Sequence, residues 1–175
     1  MRSTTISSET ETVRQGVVVG AAGGLAEIAW VALYADVTGE NATILAQGVT
    51  SAAGINALLP SSPVIVGIIV HMSLAVMVGL LLAFAWRELR EQWPSLRSPY
   101  LFALASLAGI WVVNFFIVLP IVSPAFVHLL PYPVSLISKL LFGTAGAAAL
   151  QCQTVPSFDR SPPWFRCKLR QPSHR

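Results

Sequence analysis

The sequence predicts an all-α integral membrane protein: an antiparallel bundle of four transmembrane helices, with an interfacial helix on the outer side between the first two. Three observations predict it. Hydrophobic residues make up 54% of the 175-residue chain and charged residues 11%, with a mean hydropathy of +0.67, far more apolar than a soluble domain of this length. Four windows, 16–35, 64–86, 100–122 and 132–150, reach the roughly 20 apolar residues that a helix needs to cross a bilayer. No strand-like alternation competes with them, and helices satisfy their own backbone groups in lipid.

The basic residues set the orientation. Arg2 and Arg14 precede the first window, Arg87, Arg90 and Arg97 lie between the second and third, and Arg160, Arg166, Lys168, Arg170 and Arg175 follow the fourth. The connections 36–63 and 123–131 contain no Lys or Arg, and the first carries Asp36 and Glu40. By the positive-inside rule both termini and the middle connection are cytoplasmic, in a multi-pass protein of the inner (plasma) membrane. A pI near 9.2 then reflects topology and attraction to anionic lipid, not nucleic-acid binding. The first window holds Glu27 and has no small-residue cleavage site before Asp36, so it is expected to remain as a helix and not to be removed as a signal peptide.

In order along the chain, residues 1–15 are rich in Ser, Thr and Glu and are expected to form a flexible cytoplasmic tail before the four-helix domain, 16–150. In the first helix Gly16, Gly20 and Gly24 recur every four residues, with Gly23 four positions before Glu27. Small residues on one face let a neighbouring backbone approach, so Glu27 is expected to face protein and not lipid. Residues 42–59 mix apolar side chains with Gln47, Thr50, Ser51 and Asn56, too polar to span, and read as an interfacial or partly re-entrant helix at the outer mouth.

The second helix carries Gly67, His71, Ala75, Gly79 and Ala83 at intervals of four, which puts His71 on a small-residue face. In the third, Ala103, Ser106, Ile110, Trp111 and Asn114 share a face, and Pro120 and Pro124 break the outer end. The fourth repeats the pattern with Ser135, Lys139, Gly143 and Gly146. Its inner end, 143–149, is nearly all small residues and calls for a close partner, a helix of the same chain or of another subunit; a homo-oligomer or a larger membrane complex is expected. The basic, Pro-rich tail 151–175 is expected to be disordered and cytoplasmic, with Cys152 and Cys167 as reduced thiols.

Glu27 lies eight residues from the outer end of its window, His71 seven, Asn114 eight and Lys139 seven. At about 1.5 Å per residue all four sit roughly 10–12 Å below the outer surface. The chemistry is complementary: a carboxylate, an ammonium, an amide that donates and accepts, and an imidazole that titrates near neutrality. Intramembrane ionisable residues are costly and mark proton or solute paths, so these four are the candidate binding or proton-relay residues. The competing reading is a structural clamp in which Glu27 and Lys139 cancel each other's charge, as in a structural or assembly subunit. For Lys139, snorkelling to the outer interface is a further alternative.

A metal site would have only His71, His128 and Glu27 on the outer side, and Lys139 at the same depth repels a cation, so no metal or cofactor is expected. No nucleophile elbow, phosphate loop, HExxH or acidic dyad is present, which argues against an enzyme. His71 followed by Gly79, and Lys139-Leu-Leu-Phe-Gly143, resemble the helices of small four-span bacterial membrane proteins of unknown function; the resemblance covers residues 16–150 and implies no activity.

Overall fold

The computed structural model describes residues 2–41, 43–44, 47–48, 50, 63–93, 98–127 and 130–154. Helix α1 spans Arg2–Thr38, α2 Pro63–Gln92 and α3 Pro99–Val113. A π-helical segment, Asn114–Val118, carries α3 into α4 (Leu119–Val122), and α5 (Pro124–Val127) precedes α6 (Tyr132–Thr154). Among the described residues four stretches, Glu9–Thr38, Val64–Gln92, Pro99–Val122 and Tyr132–Cys152, are long and apolar enough to cross a membrane. They fit a polytopic membrane protein, as does the apolar exterior: Leu25, Leu81, Leu101 and Ile121 all stand exposed on it.

Two helices run past the apolar windows for a local reason. Helix α1 reaches back to Arg2, so residues expected to form a flexible tail are helical, and one turn is braced by Arg14 pairing with Glu11 at 2.7 Å while Gln15 donates to the same carboxylate at 3.3 Å. Helix α2 continues to Gln92 on two more i,i+4 pairs, Arg87 with Glu91 at 3.2 Å and Gln92 with Glu88 at 3.1 Å. Helix α1 stops where Gly39 takes φ +73°, a left-handed conformation that costs glycine nothing. Helix α3 starts on Ser98, whose Oγ accepts from the Leu101 amide at 3.3 Å, with Pro99 following. Of the expected interfacial helix, 43–44, 47–48 and 50 are helical and the rest lies outside the described residues, as do His128, Cys167 and the tail from 155.

Helix α1 packs along α2 on one side and along α6 on the other, α6 packs against α3, and α2 meets α3 at few points. Neighbours are antiparallel. Gly16 faces Leu80, Gly20 faces Val76 and Gly24 faces Met72, while Gly23 faces Phe142 and Gly146 faces Val19. At the crossing of α1 and α2 a Cβ on Gly20 would lie 2.5 Å from the Ala75 carbonyl oxygen, and one on Gly79 would collide with the Gly20 backbone. Glycine at both positions is therefore what lets these two backbones touch. The small residues at the start of the 143–149 stretch are used inside the chain: Gly143 lies against Ala103 of α3, and Ala147 is fully buried.

The break in the third span has a covalent cause. Pro120 has no N–H to give the carbonyl of Phe116 and its ring crowds that carbonyl, so a regular α-helix cannot continue. The Leu119 amide instead bonds back to the Asn114 carbonyl, five residues away, and the chain forms one π-helical turn that begins at Asn114.

The buried carboxylate and its cavity

Apolar packing brackets the site along α1. On one side Val19 packs with Ala75, Leu107 and Phe142; on the other Ala35 packs with Leu130 and Val134. Glu27 lies between, eight residues from each of Val19 and Ala35, and only 2% of it is exposed. Its Oε1 is 2.6 Å from Lys139 Nζ and accepts a hydrogen bond from Ser138 Oγ at 3.2 Å. The Lys139 stem thus turns its ammonium onto Glu27. An N–O separation of this size is that of a charge-assisted hydrogen bond, which offsets the loss of water around both groups.

The other carboxylate oxygen, Oε2, is 3.4 Å from His71 Nε2. The approach lacks hydrogen-bond geometry, and Nε2 is buried with no partner. A buried polar atom left unpaired typically costs about 1–3 kcal/mol, so this nitrogen is the strongest local sign of an unmet interaction. Asn114, at the first position of the π segment, is half-buried, and its side-chain amide makes no hydrogen bond among the described residues.

Glu27, His71, Asn114 and Lys139 all line one cavity of about 530 Å³, to which all four long helices contribute. Its remaining wall is mostly apolar, including Ala75, Leu107, Phe115 and Phe142. The size falls in the range of small-molecule sites, roughly 300–1,000 Å³, and the mixture of an apolar wall with few convergent polar groups is typical of them. Among the described residues no three His, Cys, Asp or Glu side chains converge.

Several contacts escape a reading by stripes of four. Ser138 is one residue off the Ser135–Lys139–Gly143 row, yet it follows Ser135 by three and precedes Phe142 by four, and that mixed spacing puts all three on the α1 and α3 side of α6. Ser135 Oγ accepts from Trp111 Nε1 at 3.0 Å and donates to the Tyr132 carbonyl at 2.9 Å, tying α3 to α6 beside the cavity. Trp30 Nε1 donates to the Val134 carbonyl at 3.0 Å and does the same for α1 and α6. Rings of Trp111, Phe115, Phe116 and Tyr132 pack together at that end.

No model of a known protein family, no curated protein and no solved structure matches this chain.

Proposed function

We propose that this chain is an integral, multi-pass protein of the inner (plasma) membrane, with both termini cytoplasmic, and that it handles a proton or a small solute through Glu27, His71, Asn114 and Lys139. One observation carries the reading: the partnerless, buried His71 Nε2 faces the carboxylate of the Glu27–Lys139 pair inside a cavity of about 530 Å³. A purely structural clamp gains nothing from leaving that nitrogen unpaired or from the space around it. An imidazole beside a carboxylate is suited to pass a proton, since it is the side chain that changes charge near neutrality. The orientation rests on the basic residues, all of which except Lys139 fall at the termini and between the second and third spans.

The test is proton flux in vesicles of phosphatidylcholine and phosphatidylglycerol that enclose a pH-sensitive dye. With a potassium diffusion potential imposed, vesicles holding the full chain should change internal pH faster than empty ones. The His71→Phe chain, shown to melt at the same temperature, should lose that excess. Equal rates with and without the chain would overturn the reading.

A second reading, a structural or assembly subunit of a homo-oligomer or larger membrane complex, is favoured by one feature. Lys139 and Ser138 both hold the same oxygen of Glu27, which fixes the register of α6 on α1. It expects substitutions at Glu27 to reduce assembly and stability with no change in flux.

A further inference from the structure

The cavity has a side opening that the four polar residues do not explain. Between α1 and α2 the backbones touch at the glycines, and between α1 and α6 Gly23 and Gly146 pack against the side chains of Phe142 and Val19. Between α2 and α3 contact is sparse. There the cavity-lining residues Leu74 of α2, Ile110 of α3, Val118 of the π segment and Val122 of α4 are 49%, 39%, 41% and 59% exposed. A residue that lines a cavity and is also exposed lies at its mouth. The mouth is therefore apolar and sits on the flank of the bundle, the surface that meets acyl chains if the four helices span a bilayer.

The floor opposite this mouth offers unfilled hydrogen-bonding capacity and little net charge. Lys139 Nζ has three N–H groups, of which one reaches Glu27; among the described residues the Asn114 amide makes no hydrogen bond and His71 Nε2 has no partner. The Lys139 and Glu27 charges offset each other at 2.6 Å. A ligand with a net charge would gain from one member of the pair and be opposed by the other, whereas an uncharged oxygen acceptor can take the free Lys139 and Asn114 protons without breaking the pair.

We infer that the cavity takes an uncharged, membrane-dissolved amphiphile, with an oxygen head held by His71, Asn114 and Lys139 and an apolar body leaving between α2 and α3 past Leu74 and Ile110. This rests on the reading of the cavity as a ligand site in a membrane-spanning chain and names the solute class and its route. The π segment contributes directly: by re-aiming the helix at Asn114 it places the amide on the floor and Val118 at the mouth.

The experiment uses the full chain in phosphatidylcholine and phosphatidylglycerol vesicles with a sixteen-carbon alcohol carrying a mid-chain diazirine as the probe. After illumination, labelled peptides are mapped by mass spectrometry, with and without excess unlabelled hexadecanol. Expected is labelling at Leu74, Ile110 and Val118 that the unlabelled alcohol competes away, against uncompeted background at the lipid-facing Leu25, Leu81 and Leu101. Asn114→Leu should abolish the competed fraction by removing a floor group, and Leu74→Trp should abolish it by closing the mouth. Labelling that is equal at all exposed positions and uncompeted overturns the lateral site. Crosslinks through the same residues to a second copy of the chain, in place of the probe, also overturn it, because the gap would then be an interface. Competed labelling without any proton flux keeps this inference and removes the relay, so the two can fail separately.

Discussion

Glu27 Oε1 and Lys139 Nζ lie 2.6 Å apart where α1 crosses α6, and the carboxylate is almost wholly out of solvent. Because each charge is the other's compensation, removing one strands its partner. Glu27→Gln and Lys139→Met should each cost about 3–5 kcal/mol of stability, and the double variant should recover much of that loss as coupling in a mutant cycle. Thermal unfolding in mild detergent measures it. Strictly additive losses would mean that the two charges do not depend on each other.

Ser138 donates a neutral hydrogen bond to Glu27, at 3.2 Å. Ser138→Ala removes a donor to a charged acceptor and should cost about 1.5–3 kcal/mol, without abolishing flux, since Lys139 and His71 stay in place. A stability change near zero would show that the hydroxyl contributes nothing at this distance.

The two glycines at the α1–α2 crossing and Gly109 make opposite predictions from the same substitution. Gly79→Ala drives a methyl into the Gly20 backbone and should destabilise by about 1–3 kcal/mol, with broadened size-exclusion profiles. A Cβ at Gly109 meets nothing within 4 Å, so Gly109→Ala should gain about 0.5–1 kcal/mol from the stiffer helix. Equal effects at both positions would contradict the close approach.

Pro120→Ala restores the N–H that the Phe116 carbonyl lacks and should let the third span revert towards regular α-helix. Stability should rise by up to about 3 kcal/mol, and His71-dependent flux should fall because Asn114 rotates away from the cavity. The paired measurement is a melt and a flux assay on one preparation; a chain that is more stable and equally active would separate the π segment from function.

Orientation is checked with the thiols. Cys152 is exposed at the end of α6, and a membrane-impermeant maleimide added outside intact cells should not reach it. In a chain whose two native cysteines are replaced, Thr43→Cys on the opposite side should react. Labelling of Cys152 from outside would reverse the assignment of both termini.

What the residues determine locally was legible without coordinates. An apolar run of about 20 residues is a property of consecutive positions, so the four long helices were legible, but α1 begins at Arg2 and not at 16, and α2 runs on from 86 to Gln92, in stretches that carry local pairs such as Arg14 with Glu11 and Arg87 with Glu91. Rows of glycine likewise showed which face of α1 and of α2 meets a neighbour. Counting from helix ends picked out the four polar residues around the cavity, because depth depends only on rise per residue.

Which groups touch depended on the arrangement of the helices. That α1 sits between α2 and α6, and that α2 and α3 part to leave an apolar mouth, follows from how whole surfaces fit, a sum over residues far apart in the chain. Ser138 on Glu27 and the unpartnered Nε2 of His71 are consequences of that fit, to within the few tenths of an ångström that separate a hydrogen bond from a mere approach. Pro120 announced a break in its helix, but that the chain answers it with a π turn beginning at Asn114, and not with a kink or a stop, is seen only in the structure. Sequence alone set what lies in each helix and at what position along it; tertiary structure decided who faces whom, since pairing between helices is a non-local choice.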